Sequence, residues 1–433
     1  MLSDDTTMLS QSSRSMGRTA LVLAGGGVSG AVYEIGALRA IDDLLLNRTV
    51  NDFDIYVGTS AGALVSSFLA NGVSSVDLMR VVNATHPLVT FPETKDLFRL
   101  NARELLQRSL GLPRRLLSTG LEALATRGRL SVLDIVFSGL GDALPSGIYD
   151  NRAYSEWIGK ALDTIGGSNR FDQVAKELYI IATRLGNGER TIFSAATPQV
   201  PISDAVAASS AVPVVYKPVR IERHEYIDGG IRGTASLDLA IEHGAKLVVC
   251  INSLVPFDSR EWSPETHAPR EFISERGLEA VSAQTTRVLL HAGLKYQIKQ
   301  LQRRHPDVDI ILIEPRPDDS TMFFANIMRL RDRIAIAEHG FRSVSVDLAD
   351  GYGTFKQILA RYDIQISRRL LRADLEKIRQ AGHDTSVVQR VLERSSHPGG
   401  SAAAPTDDGY LMTLERCLAN LEDEIDELAS TQP

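Results

Sequence analysis

The sequence predicts an α/β fold built on a mainly parallel sheet. Two observations carry that expectation. A short apolar run, a glycine turn and a helical period follow one another twice near the start of the chain. Further apolar runs of strand length recur downstream, some separated by breaks short enough to be hairpins.

Residues 1–17 read as a disordered lead. They are polar, carry two early aspartates and have no apolar h-region, so no signal peptide is expected. Ala20–Leu23 is the first strand, and GGGVSG at Gly25–Gly30 turns it into a helix over 30–46. Leu38, Ile41 and Leu45 share one face of that helix. The second strand, Asp54–Val57, enters GTSAG at Gly58–Gly62, and its helix closes at Gly72. More strands are expected at 178–184, 191–194, 214–222, 246–252 and 308–313. The breaks at 186–189 (GNGE) and at Arg223–His224 read as hairpin turns that add antiparallel strands.

Residues 95–130 stand apart in composition. Eight basic residues against three acidic give this stretch a local charge of +5, with leucines interleaved at helical spacing. It reads either as a lid facing an anionic membrane surface or as a helical cap with solvated arginines. Residues 395–408 have linker composition. Beyond them Leu411, Leu414, Leu418, Leu421, Ile425 and Leu428 recur at spacings of three and four, which would suit a homo-oligomer contact or packing on the body. The expected organisation is a catalytic domain over 18–345 with a cap at 95–145. A helical extension over 346–394, the linker, and an acidic amphipathic helix over 409–433 follow.

The chain has 433 residues and a net charge of −7, which gives no whole-chain reason to expect nucleic acid as a partner. Its two cysteines, Cys250 and Cys417, make no disulfide framework and suit a reducing compartment. No run approaches the roughly 18 apolar residues of a membrane span. The expectation is a cytoplasmic protein that at most rests on a membrane surface.

GTSAG holds a serine between glycines on a strand-to-helix turn. A tight turn there projects the Ser60 hydroxyl as a nucleophile, while Gly58 and Gly62 leave room for the bend. Alone, five residues would equally suit a glycine-rich helix start with a capping serine. GGGVSG also fits G-x-G-x-x-G, the dinucleotide-binding turn. That rival wants an acid at the end of the second strand, where this chain has Gly58, Thr59 and Ser60. Bare amides at Gly25, Gly26 and Gly27 instead suit a developing oxyanion. DGG at Asp228–Gly230 is, by itself, an ordinary turn sequence. No histidine stands in a catalytic frame. His243, the one that follows Asp228 in triad order, lies at a helix end just before Gly244.

Taken in order, GGGVSG, GTSAG and DGG, with ASSAVPVVYKPV at 208–219, resemble the patatin-like phospholipases. The resemblance covers about residues 18–255 and reaches toward 345. It implies a three-layer α/β/α fold of the patatin and lysophospholipase type, and ester hydrolysis of a lipid substrate without metal or organic cofactor. It further implies Ser60 as nucleophile, Asp228 as base, and an oxyanion hole at Gly25, Gly26 and Gly27. Gly30, Gly58, Gly62, Gly229 and Gly230 would support those loops. The chain departs from the family at Ser29, where relatives commonly carry Arg or Lys. It departs again at Ile231–Ser236, where Asn and Pro often follow DGG, and at Arg184, where many have an aspartate. A patatin fold used only as a scaffold or interaction protein is the alternative.

Overall fold

The computed structural model describes residues 17–108, 144–258, 272–324, 330–382 and 384–394. Residues 1–16 of the expected lead lie outside that set. So do residues 109–130 of the basic segment, the linker at 395–408 and the terminal helix at 409–433.

Five strands form the parallel part of the sheet. They are β1 (Arg18–Leu23), β2 (Ile55–Thr59), β4 (Glu177–Arg184), β9 (Ala245–Ile251) and β10 (Asp309–Ile313), in the order β10-β9-β1-β2-β4. Three antiparallel strands complete it: β5 (Arg190–Phe193) and β8 (His224–Asp228) pair with β4, and β7 (Val219–Ile221) pairs with β8. Both hairpin turns therefore fall where the glycine-bearing and polar breaks predict them.

The strands read as near-continuous apolar runs because both sheet faces are covered. On one face Leu21, Leu23, Tyr56, Ile180 and Val249 join the larger core. There they meet α1 (Gly27–Leu44), α2 (Ala61–Ala70), α3 (Ser75–Asn83) and the later helices. On the other, Ala20, Val22, Val57, Ile181 and Cys250 meet the helices Leu237–Glu242 and Leu278–Arg304. This is the expected three-layer α/β/α arrangement. The strict period of two along β1 decides which layer each side chain enters.

Two details differ from the sequence reading. The strand expected over 214–222 is two strands in different sheets. β6 (Val214–Tyr216) pairs with β3 (Gly147–Tyr149), whereas β7 belongs to the main sheet. Pro218 between them has no N–H to offer a ladder, so pairing breaks there. β3 itself was not foreseen, because three residues are too few to show a period. Also, position 345 falls inside the helix Arg333–Asp350, which packs along α1 through Ala337, Phe341, Val344 and Leu348. The C-terminal helices thus share the core of the sheet.

Candidate active site

β2 ends at Thr59, and the chain turns at Ser60 into α2. Ser60 has φ 54 and ψ −117, a conformation that costs a non-glycine residue about 1–3 kcal/mol. Close packing imposes the bend. A Cβ on Gly62 would stand 2.3 Å from the Leu23 carbonyl oxygen, so α2 can start this near β1 only with glycine there. The backbone is also held by hydrogen bonds. The Ser60 N–H donates to Ser209 Oγ at 2.7 Å, and the Ser210 hydroxyl donates to the Ser60 carbonyl at 3.3 Å.

Asp228 arrives from a strand far away in sequence. β2 pairs with Glu177–Ile181 of β4, and β8 pairs with the next three residues of that strand. β5 overlaps both sets along β4, so β2 and β8 share the opposite edge, end to end. Thr59 then pairs with Ile181 and Asp228 with Ala182. The termini of two strands running toward each other meet at one point, which brings Ser60 beside the Asp228 carboxyl. A Cβ on Gly229 would stand 2.3 Å from the Ile181 carbonyl oxygen, so glycine is needed for the chain to leave the sheet there.

Asp228 is only 6% exposed. Burial raises its pKa to about 6, against the hydrogen bonds from Ser60 and from the Gly230 N–H, which lower it. That N–H lies 2.7 Å from Oδ1 and fixes the carboxyl in the turn. A carboxylate poised near neutrality beside a serine is suited to general-base work.

The glycine loop after β1 lies beside the serine, with Gly25 packed near Ser60 Cβ. Its three amides differ, however. The Gly25 N–H donates to the Thr234 carbonyl at 3.2 Å and is not available to a ligand. Among the described residues, the N–H groups of Gly26, Gly27 and Ala61 have no partner. Ala61, directly after the nucleophile, was missed by the sequence reading. Its position at the first residue of α2 was the available signal.

An apolar pocket of about 1040 Å³, its open mouth included, extends from Ser60 between α1, α2, α3 and the helix Arg152–Thr164. His86 lines it, but its Nδ1 accepts the Leu88 and Val89 N–H groups at 3.2 and 3.0 Å. His243 lies elsewhere. It meets the Tyr179 hydroxyl and lies just before the start of β9, whereas Ser60 follows the end of β2. Where a dinucleotide site would need a ribose-binding acid, β2 leads into Ser60. Among the described residues no group of three His, Cys, Asp or Glu could hold a metal ion.

A model of the patatin-like phospholipase family matches residues 21–241, half of the chain. The chain belongs to the patatin-like phospholipase family. The matched span of this patatin-like protein runs from β1 to the helix beyond Asp228, so it takes in all three glycine-bearing motifs. It is also 21% identical over 227 residues to "Probable lipid hydrolase 463L" of Invertebrate iridescent virus 6. That alignment covers 52% of this chain and 64% of the relative, so the chain spans less than two thirds of the relative's length. Among solved structures, VipD from Legionella pneumophila aligns at a TM-score of 0.35 and 16% identity, over 96% of this chain and 88% of that one. The type III effector protein ExoU aligns at 0.32 and 13%, over 96% and 75%.

Proposed function

We propose that the protein hydrolyses carboxylic esters of lipids through an acyl-serine on Ser60. The observation that supports this best is the meeting of Ser60 and the buried Asp228 at two converging strand ends, with Ser60 lining an apolar pocket. Ser60 Oγ attacks the acyl carbon as Asp228 takes its proton, and the carbonyl oxygen becomes an oxyanion. The unpartnered amides of Gly26, Gly27 and Ala61 stabilise that charge. Asp228 then protonates the leaving alcohol oxygen as the ester bond breaks. Water, deprotonated by Asp228, attacks the acyl-serine; the bond to Ser60 Oγ breaks, Asp228 returns the proton to Oγ, and the fatty acid leaves.

The same reading includes contact with a lipid surface. Three segments that line the pocket also put apolar residues into solvent: Leu88 (63% exposed) beside Val89, Leu100 (62%) near Leu97, and Val214 (75%) between Val212 and Tyr216. Ile231, three residues after Asp228, is exposed as well. Arg99, Arg103 and Arg232 lie among them and form no ion pair with the described residues. Exposed apolar groups with free cations suit an anionic bilayer better than water. Among the described residues no helix is long and apolar enough to cross a membrane.

Product analysis by mass spectrometry on a mixed lipid panel tests the reaction, with the Ser60→Ala protein as blank. Free fatty acid and a matching deacylated lipid are expected from the wild type only. A panel left intact by wild-type protein, together with no labelling of Ser60 by a fluorophosphonate probe, leaves the scaffold reading in place instead.

A further inference from the structure

Helices α1 and α2 both begin at the catalytic turn and run away from it. On α1 the pocket is lined at Gly27, Val28, Ala31, Val32 and Ile35, and no later residue of that helix reaches it. On α2 and its first turn it is lined at Ser60, Ala61, Leu64, Val65 and Phe68, and again no later one does. The two stripes have identical spacing, at offsets 0, 1, 4, 5 and 8. One apolar slot therefore follows both helices for two turns and then stops.

Ser210, which also lines the slot, lies beside the serine. Its hydroxyl donates to the Ser60 carbonyl, and Tyr154 lines the slot as well. Phe68 is the last residue of α2 to line it, Val73 and Ile165 also line it, and the Trp157 ring lies 6.2 Å from that of Phe68. Phe68 and Val73 are buried, so the floor belongs to the core.

We infer that this slot measures the acyl chain, with Phe68 as its floor, and selects chains of about ten carbons. The inference rests on Ser60 being the acyl acceptor. Eight residues at about 1.5 Å per residue give a depth of about 12 Å from Ser60 to Phe68. An extended chain with C–C bonds of about 1.5 Å advances about 1.25 Å per carbon, so about ten carbons fill the slot. Each methylene that enters leaves water, and about 0.8 kcal/mol per methylene corresponds to about fourfold in kcat/KM. Carbons beyond the floor gain nothing and must bend back or displace Phe68.

The experiment is kcat/KM on p-nitrophenyl esters of straight-chain acids from four to sixteen carbons. Wild-type values should climb by about fourfold per carbon and peak near ten. Phe68→Ala should move the peak two to four carbons longer. Ala31→Leu, which puts bulk one turn into the slot, should move it to six or fewer, and it keeps the test decisive if Phe68→Ala does not fold. A wild-type profile that stays level to sixteen carbons, or variants that leave the peak in place, overturns the inference while leaving Ser60 as nucleophile.

A second readout does not need turnover. In the Ser60→Ala, Trp262→Phe protein, Trp157 fluorescence reports binding of n-alkanols. Affinity should rise with length to about ten carbons and then level off, and a continued rise to fourteen overturns the inference. No hydrolysis at any length, with alkanol binding as expected, would instead refute the acyl-serine reading and keep the slot.

Discussion

The Ser209 hydroxyl joins Ser60 to the strand beside it: Oγ accepts the Ser60 N–H at 2.7 Å and donates to the Ile181 carbonyl at 2.5 Å. Ile181 is also the residue that pairs with Thr59, so the serine links two backbones at the catalytic bend. Ser209→Ala would leave a buried N–H and a buried carbonyl unpaired. A cost of about 1–3 kcal/mol per orphaned group is expected, and some of it should appear as relaxation of the Ser60 turn. We expect kcat to fall about 10- to 100-fold with KM little changed. A structural role alone would lower the melting temperature and leave kcat of the folded fraction intact.

Ser60→Ala should abolish ester hydrolysis and fluorophosphonate labelling. Asp228→Asn should lower kcat at least 1000-fold, since the amide cannot accept the hydroxyl proton. In the wild type the base must be ionised, and its pKa is raised to about 6 by burial. The rate should therefore rise about tenfold per pH unit below that value and level off above it. A rising limb centred near 4 would mean that burial does not raise the Asp228 pKa, and a limb retained in Asp228→Asn would mean that another group is the base.

The same carboxyl makes a stability prediction of the opposite direction. Burial disfavours the charged form, so the folded pKa lies above the unfolded value of about 3.9. Between those two values the folded state binds more protons, and stability falls as pH rises through that window. Asp228→Asn escapes this cost. It should gain stability over wild type as pH goes from about 4 to about 6, and the gain should stay constant above that. Urea midpoints at pH 4.5 and 7.5 measure it, and an equal difference at both pH values would contradict it.

Much of this site was legible because glycines and strand ends are local signals. GTSAG fixes the Ser60 turn, and Asp228 ends its strand as DGG suggests. What could not be read was register. Only the shared edge of β4 brings positions 60 and 228 together, and pairing over that distance leaves no local trace in composition. The loss of the Gly25 amide to the Thr234 carbonyl is likewise a tertiary event. The sequence reads β6 and β7 as one strand because Val214, Val215, Val219 and Ile221 flank Pro218 on both sides with strand-forming residues.

The exposed arginines near the solvent-facing apolar groups offer a charge test. Arg99, Arg103 and Arg232, changed together to Glu, should abolish sedimentation with anionic vesicles in low salt. Activity on a soluble short-chain ester should remain within about twofold, because none of the three touches Ser60 or Asp228. Wild-type binding should weaken as salt shortens the screening length to below about 10 Å. Equal binding to neutral and anionic vesicles would count against a role for these arginines.

Arg39 tests whether the last helices belong to the body. Its side chain is fully buried in α1 and pairs with Asp43 one turn on, at 2.8 Å. It also donates to the carbonyls of Leu392 and Arg394 at 3.1 and 2.8 Å, at the end of the helix Thr385–Leu392. Arg394 in turn pairs with the buried Asp374 at 2.6 Å. Removing one member of such a pair leaves a charge without compensation in the core. Arg39→Met should therefore cost about 3–5 kcal/mol. The double change Arg39→Met, Asp43→Leu removes both charges and should recover most of that loss, although two carbonyls stay unpaired. Urea unfolding of the two variants separates these effects. If the double variant is no more stable than the single one, the carbonyl contacts to Leu392 and Arg394, rather than the ion pair, hold the C-terminal helices to α1.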